Sequence, residues 1–375
     1  MLQGIHLTLL IGPAVPMPAP KSVVDAVQSI QVTSSKDKSG FQITFAMSKD
    51  SPLQRTLLPA GFFDPMTTRV IVIVTLGGFP NVIMDGVVTR QEMTPSSEPG
   101  QSTLTITGED LSVLMDVFEI KRPFIALDDT LTLYEVLAPY AAFGVVPLVL
   151  PPLFTDFLPP TEGWDAQTGT DLQLIRQIAD ANGYVFYVEP GPLPGQSIAY
   201  FGPNIRIPVP QPALSINMDA HTNVDSMSFA LDGLAKETMI VTVMDPITHK
   251  IPLPIPIPDI NVFQPPLGAR PTPPAKIRFA RESGGKSVAK VLKETVGRLM
   301  RGAANAITVS GSLDVLRYGR VLRSRLLVGV RGAGLAYDGL YYVDSVTHNL
   351  KRGEYKQSFQ LSRDGLISIT PRVPA

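Results

Sequence analysis

The chain contains no cysteine. Disulfide staples, thiolate metal sites and a cysteine nucleophile are therefore excluded, and cysteine usage says nothing of the redox compartment. Charge is scarce: Asp, Glu, Lys and Arg make up 17% of the 375 residues, against 44% hydrophobic. Acidic and basic residues nearly balance, 33 to 32, for a formal net charge of −1. Such a surface carries no broad field to attract nucleic acid or an anionic membrane. The histidines are few (His6, His221, His249, His348) and none lies three or four residues from another, so zinc-ligand spacing is missing. Long apolar runs are missing too. The longest, 138–154, is interrupted by Pro139, Pro147, Pro151 and Pro152, whereas a membrane-spanning helix needs about twenty apolar residues. No stable membrane insertion is expected. The first eleven residues lack a basic stretch and alternate partly like a strand, which argues against a secretory signal.

A chain of 375 residues exceeds the usual size of one core, so two or three domains are expected. Its low charge predicts that much surface is hidden in oligomer interfaces or a larger assembly. Residues 1–120 read as a first β domain: 29–33 and 41–46 flank a polar turn, and 69–76 and 81–90 are split by Gly77-Gly78. Leu111, Leu114, Met115 and Phe118 have helical spacing and predict a short helix over 109–118. Residues 121–215 read as a middle α/β domain. Asp128 or Asp129 caps a helix over about 130–141, and Thr170 with Gln173 forms a capping box ahead of a helix closed by Gly183. Residues 216–375 read as a second β domain. It includes a proline-rich arm, 251–274, whose alternating prolines in 251–258 demand a polyproline-like chain or a sheet edge, as docking arm or plain linker. It also includes a helix over 287–304 with Val288, Val291, Leu292, Val296 and Leu299 in a stripe opposite a basic face.

The first and last domains echo one another. Asp338-Gly339 opens a hairpin that ends in Arg363-Asp364-Gly365, and Asp85-Gly86 opens a shorter one that ends in Glu109-Asp110-Leu111. A Val/Leu-rich strand precedes each. In the later hairpin Val343 and Val346 are an odd number of residues apart, which predicts a β-bulge near Asp344-Ser345.

Chemistry has little to stand on. The pairs Glu109-Asp110 and Asp128-Asp129 suit acid/base work, but helix starts favour negative charge for their own stability. Gly329 to Gly334 is glycine-rich without a following helix, and reads as a turn. Trp164 is a contact anchor or a packing residue in a loop, and His348 a hydrogen-bonded packing residue. No catalytic, cofactor-binding or metal residue is assigned, and no cofactor is expected.

Ser39 to Phe45, the stretch 171–189 with Ala-x-x-Gly-Tyr-x-Phe-Tyr-Val, and 339–363 with Gly-x-Tyr and Phe-x-Leu-x-Arg together resemble the baseplate hub proteins of contractile phage tails and phage-tail-like contractile injection systems. These are the late control D type, related to the N-terminal part of VgrG spikes. The resemblance implies a mainly β fold with an α+β insertion: two related antiparallel, tube-like β-barrels separated by a middle α/β domain. It implies a structural, non-enzymatic homotrimer that joins a hexameric inner tube to a trimeric spike, alongside other baseplate proteins. Since the sequence stops at Ala375, the OB and β-helical spike is expected to be a separate, VgrG-like polypeptide. Assembly would take place in the bacterial cytoplasm within a contractile tail-like particle, released or carried on a virion. The alternatives are a cell-wall lytic component of a tail, with Glu109 or Glu162 as its carboxylate, and a secreted carbohydrate-binding β module.

Overall fold

The computed structural model describes residues 4–13, 15–36, 38–98, 101–124, 127–152, 165–206, 209–244, 252–257, 264–279 and 305–370. Helix 287–304, Trp164, Glu162 and His249 of the sequence reading lie outside these residues. The chain is mainly β.

The first unit contains β1 (Ile5–Gly12), β2 (Met17–Pro18), β3 (Val27–Ser35), β4 (Ser39–Met47), β5 (Arg69–Leu76), β6 (Phe79–Thr94) and β7 (Ser102–Asp110), with helix α1 (Lys21–Ala26) before β3. In space the order is β3-β4-β7-β6-β5-β1-β2, antiparallel throughout. Alternation sets the faces: Phe41, Ile43, Phe45 and Met47 of β4 point inward between more exposed neighbours. β5 is different. Its unbroken run Val-Ile-Val-Ile-Val is buried on both faces, Val70, Val72 and Val74 in the main core and Ile71 and Ile73 in a second cluster with Val82. A strand covered on both sides loses the alternating pattern. The expected helix over 109–118 is a single 3-10 segment, Leu111–Asp116, because Glu109 and Asp110 still belong to β7.

The middle unit comprises β8 (Glu119–Phe124), α2 (Asp129–Leu137), β9 (Val145–Val149), β10 (Asp165–Thr170), α3 (Asp171–Asn182), β11 (Val185–Pro190) and β12 (Ser197–Gly202). β10 pairs with β8, and β11-β12-β9 form a small mixed sheet in which β12 and β9 run parallel. α3 starts as its capping box requires: Gln173 N–H donates to Thr170 Oγ1 at 3.2 Å, and Thr170 N–H donates back to Gln173 Oε1 at 3.4 Å. It ends at Gly183, left-handed at φ 68°. Leu172, Ile175 and Ala179 then pack with Leu133, Val136, Leu137, Val188 and Phe201 in a separate core.

The second unit contains β13 (Gln211–Ser215), β14 (Ser226–Leu231), β15 (Glu237–Met244), β16 (Pro252–Ile257), β17 (Gly268–Pro271), β18 (Lys276–Phe279), β19 (Ile307–Asp314), α4 (Val315–Tyr318), β20 (Leu327–Arg331), β21 (Gly339–Lys351), β22 (Glu354–Arg363) and β23 (Gly365–Ser368). β13, within the stretch read as the middle domain, pairs with β20 of this unit. The order β13-β20-β21-β22-β19-β14 repeats that of the first unit, β1-β5-β6-β7-β4-β3, strand for strand in chain order. One pair departs: β13 runs parallel to β20, whereas β1 is antiparallel to β5. The Asp-Gly echo is also corrected. The bulged residues are Thr89 in β6 and Asp344 in β21; aligned on them, Asp85-Gly86 matches Leu340-Tyr341, so Asp85 sits inside a strand that begins at Phe79. The repeat lies in strand order and bulges, not in that dipeptide.

Among the described residues the units do not close as two separate barrels. They share one 13-stranded sheet and one core, because β21 pairs with β3 of the first unit. The proline-rich segment forms an edge. β16 flanks β15 in a three-stranded sheet, β16-β15-β18. An edge strand needs only every second N–H for its ladder, so Pro252, Pro254 and Pro256 can alternate with donors Leu253, Ile255 and Ile257.

One buried ion pair ties the first unit to the middle one. Arg69 donates from Nε to Asp85 Oδ1 at 2.7 Å and from Nη2 to Asp85 Oδ2 at 2.6 Å. Ser197 Oγ of β12 also donates to Asp85 Oδ2, and Arg69 Nη2 reaches the Gly195 carbonyl. Breaking a buried pair from one side leaves an uncompensated charge. Asp85→Ala should therefore cost about 3–5 kcal/mol of unfolding free energy in denaturant titration, and Arg69→Met added to Asp85→Leu should recover part of that loss. A loss below about 1 kcal/mol for Asp85→Ala, the level of an exposed pair, would refute this role.

Candidate assembly interface

The joint between the two β units carries side-chain hydrogen bonds on both of its faces. β21 changes partner along its length: Gly339 to Tyr342 pair with β20, and from Ser345 to Lys351 the same edge pairs with β3. The bulge at Asp344 separates the two halves. An extra residue bends and twists its strand, which lets one strand serve two sheets. Ser345 faces Ser35, and the ladder runs to Lys351 opposite Ser29. Side chains reinforce it on the solvent face: Thr33 and Thr347 hydroxyls lie 3.2 Å apart, and Gln31 Nε2 donates to Asn349 Oδ1 at 3.3 Å. Ile30 and Val32 with Val346 and Leu350 fill the inner face.

His348 sits at the heart of this joint, 3% exposed. Its Nδ1 lies 2.7 Å from the Tyr355 hydroxyl and 3.2 Å from Gln357 Nε2, while Gln357 exchanges two bonds with the Leu322 backbone. Burial, with a smaller contribution from the nearby Arg323 cation, lowers its pKa to about 3. The imidazole is thus a neutral packing group.

A second contact fastens the joint to the middle unit. Arg325, left-handed at φ 64°, lies 3.9 Å over the Tyr187 ring and donates from Nη1 to Glu189 Oε2 at 3.3 Å. Tyr187 stacks on Tyr200, and a cavity of about 280 Å³ opens beside them, lined also by Ser34, Asn204 and His348. Burial, followed by the Glu189 carboxylate, holds the Tyr187 hydroxyl well above its ordinary pKa.

The carboxylates singled out in the sequence serve local structure. Asp110 accepts from the Ser39 and Ser112 amides, and burial raises its pKa. Glu109 pairs with Lys38 at 2.7 Å. Asp128 caps α2 by accepting from Leu131 N–H, and Asp129 accepts from Asn182. His6, His221 and His348 do not converge, and no group of three metal-ligating side chains occurs among the described residues. Gly329 lies in β20 and Gly332 and Gly334 in the turn after it, both left-handed. No described helix is long and apolar enough to cross a membrane.

No known family's sequence pattern matches the chain, and no curated protein does. Solved structures do match. A tail protein from Neisseria meningitidis shares 14% identity with a TM-score of 0.60, over 96% of this chain and 98% of that one. The 43 kDa tail protein of prophage MuSo2 from Shewanella oneidensis shares 14% identity with a TM-score of 0.57, over 97% of this chain and all of that one. A chain of the Francisella PdpA–VgrG complex gives 0.61 at 9% identity, with this chain covering 55% of its length.

The chain has the fold of these tail proteins.

Several residues that build the joint carried no sequence signal. Arg325 and Glu189 come from distant segments, and nothing in their spacing marks them as partners. Arg69 is one of many basic residues, distinguishable only as a charge opening an otherwise apolar strand. The bulge at Asp344 was legible, because Val343 and Val346 both point inward.

The neutral His348 makes the joint sensitive to acid. The unfolded chain takes up a proton near the ordinary histidine value of about 6.5, which the folded site refuses until about 3. Stability from this group is thus complete above about pH 6.5 and erodes as pH falls, with a slope approaching 1.4 kcal/mol per pH unit, about the full linkage value. His348→Gln should flatten the fall in unfolding free energy between about pH 6.5 and 4, measured by urea titration at several pH values. An unchanged slope in that variant would exclude His348 as its source.

Proposed function

We propose that the chain is the baseplate hub of a contractile tail-like particle: a homotrimeric adaptor that joins a hexameric inner tube to a trimeric spike. The observation that carries this reading is the strand order repeated in the two β units. Three copies would present six such units in a ring, which matches a hexamer on one side, while the copy number itself matches a trimer on the other. The tail-protein fold over nearly the whole chain supports the reading, as does the low charge content. An obligate interface of this kind buries on the order of 2,000–5,000 Å² and favours a surface poor in charge.

On this reading the partners are the inner tube protein, a VgrG-like spike and other baseplate proteins. The role is mechanical rather than enzymatic. Its carboxylates at helix starts and in ion pairs support that. The hub would be assembled in the bacterial cytoplasm and leave it only as part of the particle, on a virion or after release. Native mass spectrometry of the purified chain, alone and co-expressed with its spike protein, should show trimers. A stable monomer under both conditions would overturn the proposal.

A further inference from the structure

Inside the chain, the two units are joined by the outer half of β21 and the edge strand β3. The first unit holds a counterpart of that outer half, and the second a counterpart of that edge. β6 skips Thr89 opposite β7 as β21 skips Asp344 opposite β22. The residue before each bulge is held alike: Val88 bonds to Met66 and Thr68 of the preceding loop, and Val343 to Arg325 and Leu326. Met66 and Arg325 are both left-handed at φ 64°. Beyond the bulge the two strands differ. Ser345 to Lys351 pair with β3, whereas Arg90 to Thr94, exposed, pair among the described residues only with β7. β5 has already ended its ladder opposite Val87. Among the described residues β14, the counterpart of β3, is the last strand of the sheet and pairs only with β19.

We infer that copies of this chain join by laying Arg90 to Thr94 of one against β14 of the next, antiparallel, in the register of the β3–β21 joint. This inference rests on the reading that copies associate in a ring, and names the strands that do so. The register follows by matching partners across the two units. Thr107 corresponds to Gln360, Gln42 to Ser310 and Gln31 to Ser228. Since Gln31 faces Asn349 inside the chain, Ser228 would face Thr94 between chains. Met93 then faces Phe229, and Arg90 faces Asp232.

Each of these pairs is chemically apt, although none was used to set the register. Arg90, which pairs with Glu92 on its own strand at 2.9 Å, would place its guanidinium opposite a second carboxylate. Met93, 43% exposed, meets Phe229, whose counterpart Val32 is fully buried in the internal joint. Thr94 and Ser228 are small and polar, like Thr33 and Thr347, and share the solvent face. A slip of one residue would turn Met93 away from the core side. The chain also guards its edges unequally. β16 carries three prolines along its edge, and β2 is two residues long and ends in Pro18. β14, Ser-Met-Ser-Phe-Ala-Leu, has neither proline nor charge. An unguarded edge is one meant to be paired.

The absence of cysteine makes the test clean, because introduced thiols would be the only ones. Lys36 N–H donates to Asp344 O at 2.9 Å, which makes Ser345–Ser35 a non-hydrogen-bonded pair, and alternation makes Asn349–Gln31 another. Such pairs bring Cα atoms to about 4.5 Å, within reach of a disulfide. Oxidation of the assembled Thr94→Cys, Ser228→Cys double variant should give linked dimers and trimers on a non-reducing gel, reversed by reductant. The off-register Thr94→Cys, Leu231→Cys variant should stay unlinked. As an independent measurement, Arg90→Asp or Asp232→Arg alone should weaken assembly about tenfold in dilution experiments, and the two together should restore it. A wild-type oligomer whose in-register variant does not link, and whose charge swap does not rescue, overturns this inference and leaves the hub reading standing. A chain that is monomeric alone and with its spike overturns both.

Discussion

An unpaired strand edge is the constraint on which the rest of this molecule depends. Backbone N–H and C=O groups along an edge must be bonded, blocked or left to recruit another strand. The second unit solves this for β21 by giving its outer half to β3 of the first unit, so that two repeats become one sheet over one core. The proline-bearing β16 solves it by removing donors. Where neither device is used, at β14 and beyond Thr89 in β6, the sheet ends among the described residues without a further strand.

The change of partner along β21 turns on one additional residue. Without the bulge at Asp344, Tyr342 and Val346 would lie on a uniform ladder, and β3 would compete with β20 for the same edge. With it, the strand bends between them and the joint acquires its own packing around His348, Tyr355 and Gln357. That packing is a satisfied buried polar cluster, which specifies one arrangement more sharply than an apolar patch would, since each member is costly to leave without a partner. Arg325 extends the same logic to the middle unit by stacking on Tyr187 and reaching Glu189. The relative positions of the three units are therefore held by directional contacts.

Much of this was legible in the sequence wherever the cause is local. The alternation of Phe41, Ile43 and Phe45 marked a strand, Thr170 with Gln173 marked the start of α3, and the odd spacing of Val343 and Val346 marked the bulge. The repeat was also visible, but through the wrong residues. Asp85-Gly86 and Asp338-Gly339 look alike, yet Asp85 bonds to Arg69 and, across units, to Ser197, a contact that has no sequence neighbourhood. The true equivalence, carried by strand order and by Thr89 and Asp344, involves residues that are chemically unalike. Bulges are backbone features that many side chains tolerate, so their repetition leaves little trace in composition. The sharing of one sheet by both units left no such trace for a related reason: alternation shows which face is buried, and not which edge is shared.

Duplication inside one chain does something that six identical units would not. Identical units could form a ring, but each would carry the same insertions. Here the middle unit follows β7 of the first unit, whereas the small sheet of β15, β16 and β18 is inserted between β14 and β19 of the second. The corresponding place in the first unit, between β3 and β4, is a short turn in which Ser35 bonds to Lys38. The strands that would line a ring are thus alike in both units, while the material hung on them differs. On the proposed reading, a ring of three such chains would be near-sixfold where the repeated sheets meet a neighbour, and threefold wherever the insertions project. The mismatch between a six-unit tube and a three-unit spike would be absorbed within a single polypeptide, by where its insertions fall.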